Sequence, residues 1–307
     1  MNIQFGFDIA YELPQPTPLV LMLHLRPELA PRLLEPEVLR VNPDVPRDEF
    51  IDAFGNRGTR LTAPAGLFEV QLDSMVEDSG LPSPIVTTAR EHPVAELPAS
   101  VLPYLLPSRY CDLELVGSLA WSLANGTKPG WSRVQTICDW VHGYLKFDYK
   151  LARPTRTAYE ALQERTGVCR DFTHLAMTLC RCLNIPARYA TGYLGDIGVP
   201  PDPAPMDFSA WMEVYLGGQW HTFDVRHNAR RIGHLVMARG RDAADVALTT
   251  TFSAHVLRRF IVKTVEAPPV PRARHPHALD KAADAPVRDG AATEPELMAE
   301  DARLAMR

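Results

Sequence analysis

Cys169 is the residue in this sequence best placed for chemistry. It follows Gly167-Val168 and opens a helical pattern in which Phe172, Leu175, Ala176, Leu179 and Leu183 recur at helical spacing. The first N–H groups of a helix lack intrahelical partners and form its positive dipole end, so a thiol placed there is biased towards thiolate. Such a thiolate is a nucleophile for a carbonyl carbon, and it needs a partner that takes the thiol proton and returns it to the leaving group. His174 cannot be that partner, because five residues of a 3.6-residue helix turn it roughly 140° away. Asp171 is expected to cap the first turn and Arg170 to pair locally or face solvent. Thr173, off the apolar stripe, is expected at the surface. Cys138 lies on the apolar stripe of another helix and reads as a small hydrophobe. Cys180 and Cys182 have no matching downstream pair to complete a metal site, so they read as packing residues.

The second informative stretch is MDFSAWMEVYLGGQWHTFDVRHNARR, from Met206 to Arg231. Residues 210–216 and 219–225 are strand-like, and Gly217-Gly218 is a two-residue hairpin signal. That turn sets Leu216 opposite Gln219, Trp211 opposite Asp224 and Ser209 opposite Arg226. Alternate residues on a strand share a face, as do directly opposed ones. Ser209, Trp211, Glu213 and Asp224 are therefore expected on one side. His221 opposes Val214 and faces the other way. His227 lies past the strand end, nominally also on the wrong side. Trp211 is core by default, and Glu213 can pair with an arginine.

These residues need a framework. Residues 3–11 alternate as a strand, with Ile3, Phe5, Phe7, Ile9 and Tyr11 on one face. Further strand candidates fall at 19–25, 40–45, 49–53, 59–63 and 68–77, with a turn at Phe54-Gly55-Asn56-Arg57-Gly58. They read as a small β-sandwich at residues 1–90, structural in role. A Pro- and Ser-rich connection at 91–113 follows. Helices are expected near 115–123, 132–145, 157–165 and from Cys169 to Asn184, then strands at 187–194 and 232–239. Residues 256–264 are a further extended segment that can complete the sheet. A Pro-rich loop at 195–205, with Asp196 and Asp202, reads equally as a lid or as plain surface. Residues 114–265 form the core, and 266–307 lose all pattern and read as a largely disordered tail.

Composition bounds the reading. Of 307 residues, 46% are hydrophobic and 22% charged, the balance of a soluble globular chain. A net charge of -5 gives no general attraction to nucleic acid or to an anionic membrane. Five cysteines, an odd and widely spaced set, do not form a disulfide scaffold. The N-terminus lacks a secretory pattern, and no apolar run is long enough to span a bilayer. The expected compartment is the cytoplasm, where a thiol stays reduced. No carboxylate pair or phosphate loop is evident, and neither cofactor nor metal is expected.

Gly167-Val168-Cys169-Arg170-Asp171-Phe172, with Ala210-Trp211-Met212-Glu213-Val214 and Trp220-His221-Thr222-Phe223-Asp224, resembles the bacterial transglutaminase-like superfamily. The resemblance covers about residues 114–263, and the region around Phe54-Gly55-Asn56 is similar to the β-rich part often attached to such cores. It implies an α+β fold with a papain-like core, Cys169 as nucleophile and Asp224 as the acid that orients a histidine. That histidine belongs immediately before Ala210-Trp211, where this chain has Ser209. Serine does not accept the thiol proton as imidazole does near neutral pH. The backbone N–H of Cys169 is the expected oxyanion donor, with the Tyr193 hydroxyl as a second candidate. The implied chemistry is thiol-based amide or peptide hydrolysis, or acyl transfer, on a peptide, protein or small amide. Three outcomes follow: chemistry impaired or altered by Ser209, an active enzyme using His227 or His221 as base, or a non-catalytic peptide- or protein-binding module.

Overall fold

The computed structural model describes residues 1–268. Strands β1 (Asn2–Leu13), β2 (Thr17–Leu21), β3 (Arg40–Asn42), β4 (Arg47–Ile51), β5 (Arg57–Ala63) and β6 (Gly66–Glu77) open the chain. The period-2 pattern of β1 is realised, with Ile3, Phe5, Phe7, Ile9 and Tyr11 all buried. After a Pro-rich connection come α1 (Leu113–Ala124), α2 (Trp131–Tyr144), β7 (Lys146–Phe147), α3 (Ala158–Glu164), β8 (Thr166–Gly167) and α4 (Cys169–Cys182). Strands β9 (Ala187–Tyr193), β10 (Ser209–Leu216), β11 (Gln219–Phe223) and β12 (Leu235–Gly240) follow, then β13 (Thr249–Thr251) and β14 (Val256–Ala267).

Three four-stranded sheets result, in the orders β14-β1-β6-β3, β13-β2-β5-β4 and β11-β10-β9-β12. The first two share one apolar core through Ile3, Phe5, Leu19, Leu21, Leu61 and Val70, which makes the N-terminal layer a sandwich. The chain's last described strands return to that layer. β13 pairs with β2, and β14 pairs with β1 along its length. The extended segment at 256–264 thus completes the N-terminal sheet, a pairing across more than 240 residues that no local pattern reveals. Past residue 268 the tail lies outside the described residues.

The third sheet is the site's platform. Ala210, Met212, Val214 and Leu216 pack with α4, α2 and α1 in one apolar cluster. Tyr193, Leu235 and Met237 belong instead to the core of the β-sandwich, where the Phe5 and Tyr193 rings lie 4.9 Å apart. The Phe54-Gly55-Asn56 turn is also tied to this sheet. The buried Asn56 amide donates to the Arg239 carbonyl and its oxygen accepts from the Arg239 N–H, both at 2.8 Å. The β10–β11 hairpin has the expected register, with Leu216 opposite Gln219 and Val214 opposite His221. Gly217 and Gly218 both have positive φ, as the two-residue turn requires.

β9 approaches β12 so closely at Gly192 that side chains are excluded. A Cβ there would stand 2.0 Å from the Leu235 carbonyl oxygen. Gly192 also pairs with Ser209. Gly192→Ala is expected to lower stability by about 1–3 kcal/mol by forcing the strands apart, read as a shift in the urea unfolding midpoint.

Candidate active site

α4 begins at Cys169, and its first turn is fixed by a buried carboxylate. Asp171 accepts the Val168 N–H at 3.0 Å, capping the helix. It also binds the Arg156 guanidinium at 3.1 Å and that of Arg170 at 3.0 Å. Arg156 is itself only 3% exposed and holds Glu164 as well. α3 delivers the chain to this point through a capping box, in which the Thr157 hydroxyl accepts the Glu160 N–H and Glu160 accepts the Thr157 N–H. Arg170 pairs locally, as expected. Thr173 differs from expectation: it is buried and its hydroxyl donates to the Cys169 carbonyl at 2.8 Å, because α4 is covered on more than its apolar stripe.

The backbone N–H groups of Ala210 and Arg170 act to lower the Cys169 thiol. These favour a thiolate, but burial and the neighbouring Asp207 carboxylate outweigh them and push the thiol up to about 12. Cys169 keeps some exposure to solvent through two clefts. One is lined by Phe147, Tyr149, Asp202, Asp207, Arg226 and His227. The other is larger and more apolar, and its walls include Tyr110 and Tyr189 from the core and Ile9, Tyr11 and Phe260 from the β-sandwich. Cys169, Asp207, Phe208 and Ser209 line both. Ser209 therefore shares the Cys169 clefts; its carbonyl accepts the Thr191 hydroxyl, and its own hydroxyl has no protein partner among the described residues.

Asp224 lies one residue past the last hairpin pair, Met212 opposite Phe223. There the chain leaves the ladder and turns. The Asn228 N–H donates to the Asp224 carbonyl at 2.8 Å and the His227 N–H to the Asp224 carboxylate at 3.1 Å. The turn folds the His227 ring back, so that Nδ1 meets Asp224 Oδ2 at 2.8 Å while the ring lines the Cys169 cleft. A strand extended in register would have carried His227 away, which is why alternation alone misplaces it. Asp224 faces a second imidazole, His234, whose Nε2 lies 3.8 Å from Oδ2 and whose ring packs edge-on against Trp211. Burial alone would raise the Asp224 carboxyl, but the hydrogen bond from His227 and the charge of the two neighbouring histidines hold it well below the usual carboxylate range.

Other candidates have structural surroundings. His221 is buried, bonds the Leu216 carbonyl and packs on Trp131, outside both clefts. His174 is fully buried, stacks on Tyr110 and accepts the Ala243 N–H. The Tyr193 ring is buried in the sandwich core rather than on the clefts. Glu213 is held by Arg188 and Arg239. Among the described residues no cluster of His, Cys, Asp or Glu is arranged to hold a metal ion, and no helix is long and apolar enough to cross a membrane.

Three features were not singled out from sequence. Asp207 precedes β10 by two residues, Arg226 lies 3.7 Å over the Phe147 ring, and His234 precedes β12. For Arg226 a signal existed in its placement beside His227, whereas Asp207 acquires its role only where the two clefts meet. His234 is separated from Asp224 by an irregular segment, and sequence alone offers no link.

A cysteine heading a helix that packs on an antiparallel sheet, beside a β-rich N-terminal layer, defines the papain-like cysteine-protease class of fold. Residues 118–225 match the model of the Transglutaminase-like superfamily. A crystal structure named "Putative Cysteine Protease", from Cytophaga hutchinsonii, shares 30% identity at a TM-score of 0.75, covering 88% of this chain and 93% of that one. The chain belongs to the transglutaminase-like superfamily. It is also similar to two uncharacterized mycobacterial proteins. One is Rv2569c of Mycobacterium tuberculosis, 27% identical over 216 residues, which are 64% of this chain and 68% of that protein. The other is ML0607 of Mycobacterium leprae, 29% identical over 149 residues, which are 47% of this chain. The match spans about half the length of ML0607, 52%.

Two expectations follow from these contacts. Asp171→Asn should cost about 3 kcal/mol, since it weakens the partnership of a buried guanidinium, and should slow Cys169 alkylation; chemical denaturation and a timed alkylation check both. Asp224 titrates below its unfolded value of 3.8. Its stabilisation is therefore full above that value and is lost as pH falls towards the folded one. Asp224→Asn should flatten the acid limb of stability, measured by thermal unfolding between about pH 5 and pH 2.

Proposed function

We propose that this chain is a cysteine-dependent amide hydrolase or acyltransferase in which His227, held by Asp224, serves as base in place of the histidine that Ser209 replaces. The observation that carries this reading is the 2.8 Å contact between His227 Nδ1 and Asp224 Oδ2 on a ring that lines the Cys169 cleft. With Nδ1 donating to the carboxylate, Nε2 is left free to accept a proton. The reading rests further on the membership of the superfamily and on a thiol whose surroundings oppose spontaneous ionisation.

In the proposed sequence, His227 Nε2 takes the Cys169 proton as sulfur attacks the carboxamide carbon. The oxyanion meets the N–H groups at the head of α4, with the unpartnered Ser209 hydroxyl as a further donor. Imidazolium, stabilised by Asp224, then protonates the departing amine, leaving a thioester. A water or amine molecule gives its proton to His227 and displaces the sulfur, which completes hydrolysis or transfer. The apolar second cleft suits the acyl portion of a peptide or amide. The domain boundaries at residues 90 and 114 and the cytoplasmic setting are part of the same proposal.

Alkylation of Cys169 by iodoacetamide tests the base. Near pH 7, His227→Ala should react at least about a hundredfold more slowly than the native protein. The variant's rate should then climb through the alkaline range, because the proton stays on a thiol pushed up to about 12. The double variant His227→Ala/Ser209→His should recover part of the rate. A His227→Ala rate equal to the native one would sink the base assignment and leave a non-catalytic binding module as the better reading.

A further inference from the structure

Asp207 is the charge that the proposed mechanism leaves unused, and it stands where the two clefts meet. Both cavities that open onto Cys169 are lined by Asp207, Phe208 and Ser209 as a common wall. Asp207 is half-buried, and its only hydrogen bond among the described residues is the N–H of the next residue, Phe208, at 2.7 Å. No lysine, arginine or histidine pairs with it there.

None of the remaining charges on these clefts forms an ion pair with Asp207 among the described residues. Asp196 pairs with Arg231 at 2.9 Å, and Asp202 is exposed and accepts the Ala204 N–H. Arg226 lies over the Phe147 ring, and His227 is engaged by Asp224. On the other side, Arg153 is paired with Glu160 and Glu164, and Arg170 with Asp171. The phenols of Tyr11, Tyr110, Tyr149 and Tyr189 complete the titratable lining. Asp207 is thus the uncompensated carboxylate beside the sulfur.

A lone carboxylate in that position works against the nucleophile. It opposes the charge that must appear on sulfur, and it is the largest electrostatic influence raising the Cys169 thiol. Its own partial burial is also unfavourable, and burial raises the Asp207 carboxyl above its ordinary value. Both penalties fall together if a cation docks against Asp207, since the carboxylate is then compensated and the thiolate is no longer opposed. A neutral or anionic substrate leaves the penalty in place or adds to it.

We infer that Asp207 is the specificity-determining residue of the Cys169 clefts and that it selects substrates carrying an ammonium or guanidinium group close to the scissile carboxamide. This rests on the reading of Cys169 as nucleophile. Substrate binding then helps to activate the thiol: the ligand's positive charge gives Asp207 the ion-pair partner that no side chain provides among the described residues. Asp207 acts as a charge-selective contact and takes no proton in the reaction.

The test is charge-selective alkylation of the full chain near pH 7 with 2-bromoethylamine, iodoacetamide and iodoacetate. Each rate is divided by that of the same reagent with N-acetylcysteinamide, which removes intrinsic reactivity. The native protein should prefer the cationic reagent over the anionic one by about tenfold or more. In Asp207→Asn that ratio should fall towards unity while the iodoacetamide rate rises, and Asp207→Glu should keep the preference. A ratio that is the same in the native protein and Asp207→Asn overturns the inference. Where Asp207→Asn does not fold, a native ratio equal to that of the free thiol overturns it on its own. His227→Ala separates the two readings: loss of the base slows all three reagents together and leaves the charge ratio intact, whereas loss of Asp207 changes the ratio.

Discussion

The structure depends on one buried carboxylate, that of Asp171. Three demands converge on it: the unpaired Val168 N–H at the head of α4 and the guanidinium groups of Arg156 and Arg170. Satisfying all three fixes where α4 starts, and therefore where Cys169 stands. Gly167, two residues before Cys169, admits no side chain, since a Cβ there would lie 2.5 Å from the Asp171 Cβ. The Gly-Val-Cys-Arg-Asp sequence is in this sense one packing unit. Glycine makes room for the carboxylate, the carboxylate caps the helix, and the helix presents the thiol.

A second buried carboxylate sets the other side of the site by different means. Asp224 is compensated by two imidazoles rather than by an arginine. An arginine would neutralise it permanently, whereas a histidine does so only as far as it carries a proton. His234, packed edge-on against Trp211, meets Asp224 from within the fold, and His227 meets it from the cleft. Such an arrangement keeps the acid ionised and oriented while leaving one imidazole nitrogen turned to solvent. An imidazole thus reaches the cleft from the far end of the same hairpin whose head carries Ser209.

Most of the fold was legible because its elements carry their own periodicity. β1 alternates over its length, α2 and α4 hold apolar residues at helical spacing, and Gly217-Gly218 sets the hairpin register without outside help. What sequence did not disclose was long-range or irregular. The pairing of β14 with β1 joins opposite ends of the described chain, and either strand would pattern equally well with another partner. Strand alternation points His227 to the wrong side because the ladder ends at Phe223 and a turn begins there. The apolar stripe of α4 points to one covered face and leaves Thr173 outside it, whereas residues Asp171 to Arg181 are all buried. Cys169 and Asp224 could be singled out because a helix start and a strand end are visible in sequence. Asp207 could not, because its meaning comes from two cavities meeting at it.

The same geometry bears on the N-terminal layer. Read from sequence as a structural sandwich, it supplies Ile9, Tyr11 and Phe260 to the wall of the larger cleft. β14, which carries Phe260, is the strand that closes the sandwich against β1. The Phe208 ring, on the common wall of both clefts, packs against Phe7, Tyr193 and Phe260 at centroid distances of 5.1 to 6.1 Å. Aromatic contacts of this kind are worth roughly 0.5–1.5 kcal/mol each beyond their burial. They couple the position of Phe208, and so of the adjoining Asp207 and Ser209, to the packing of the sandwich. A core detached from that layer would lose both a cleft wall and the support of the residues beside Cys169. The β-rich layer is therefore better understood as half of the site's scaffold than as an appendage to it.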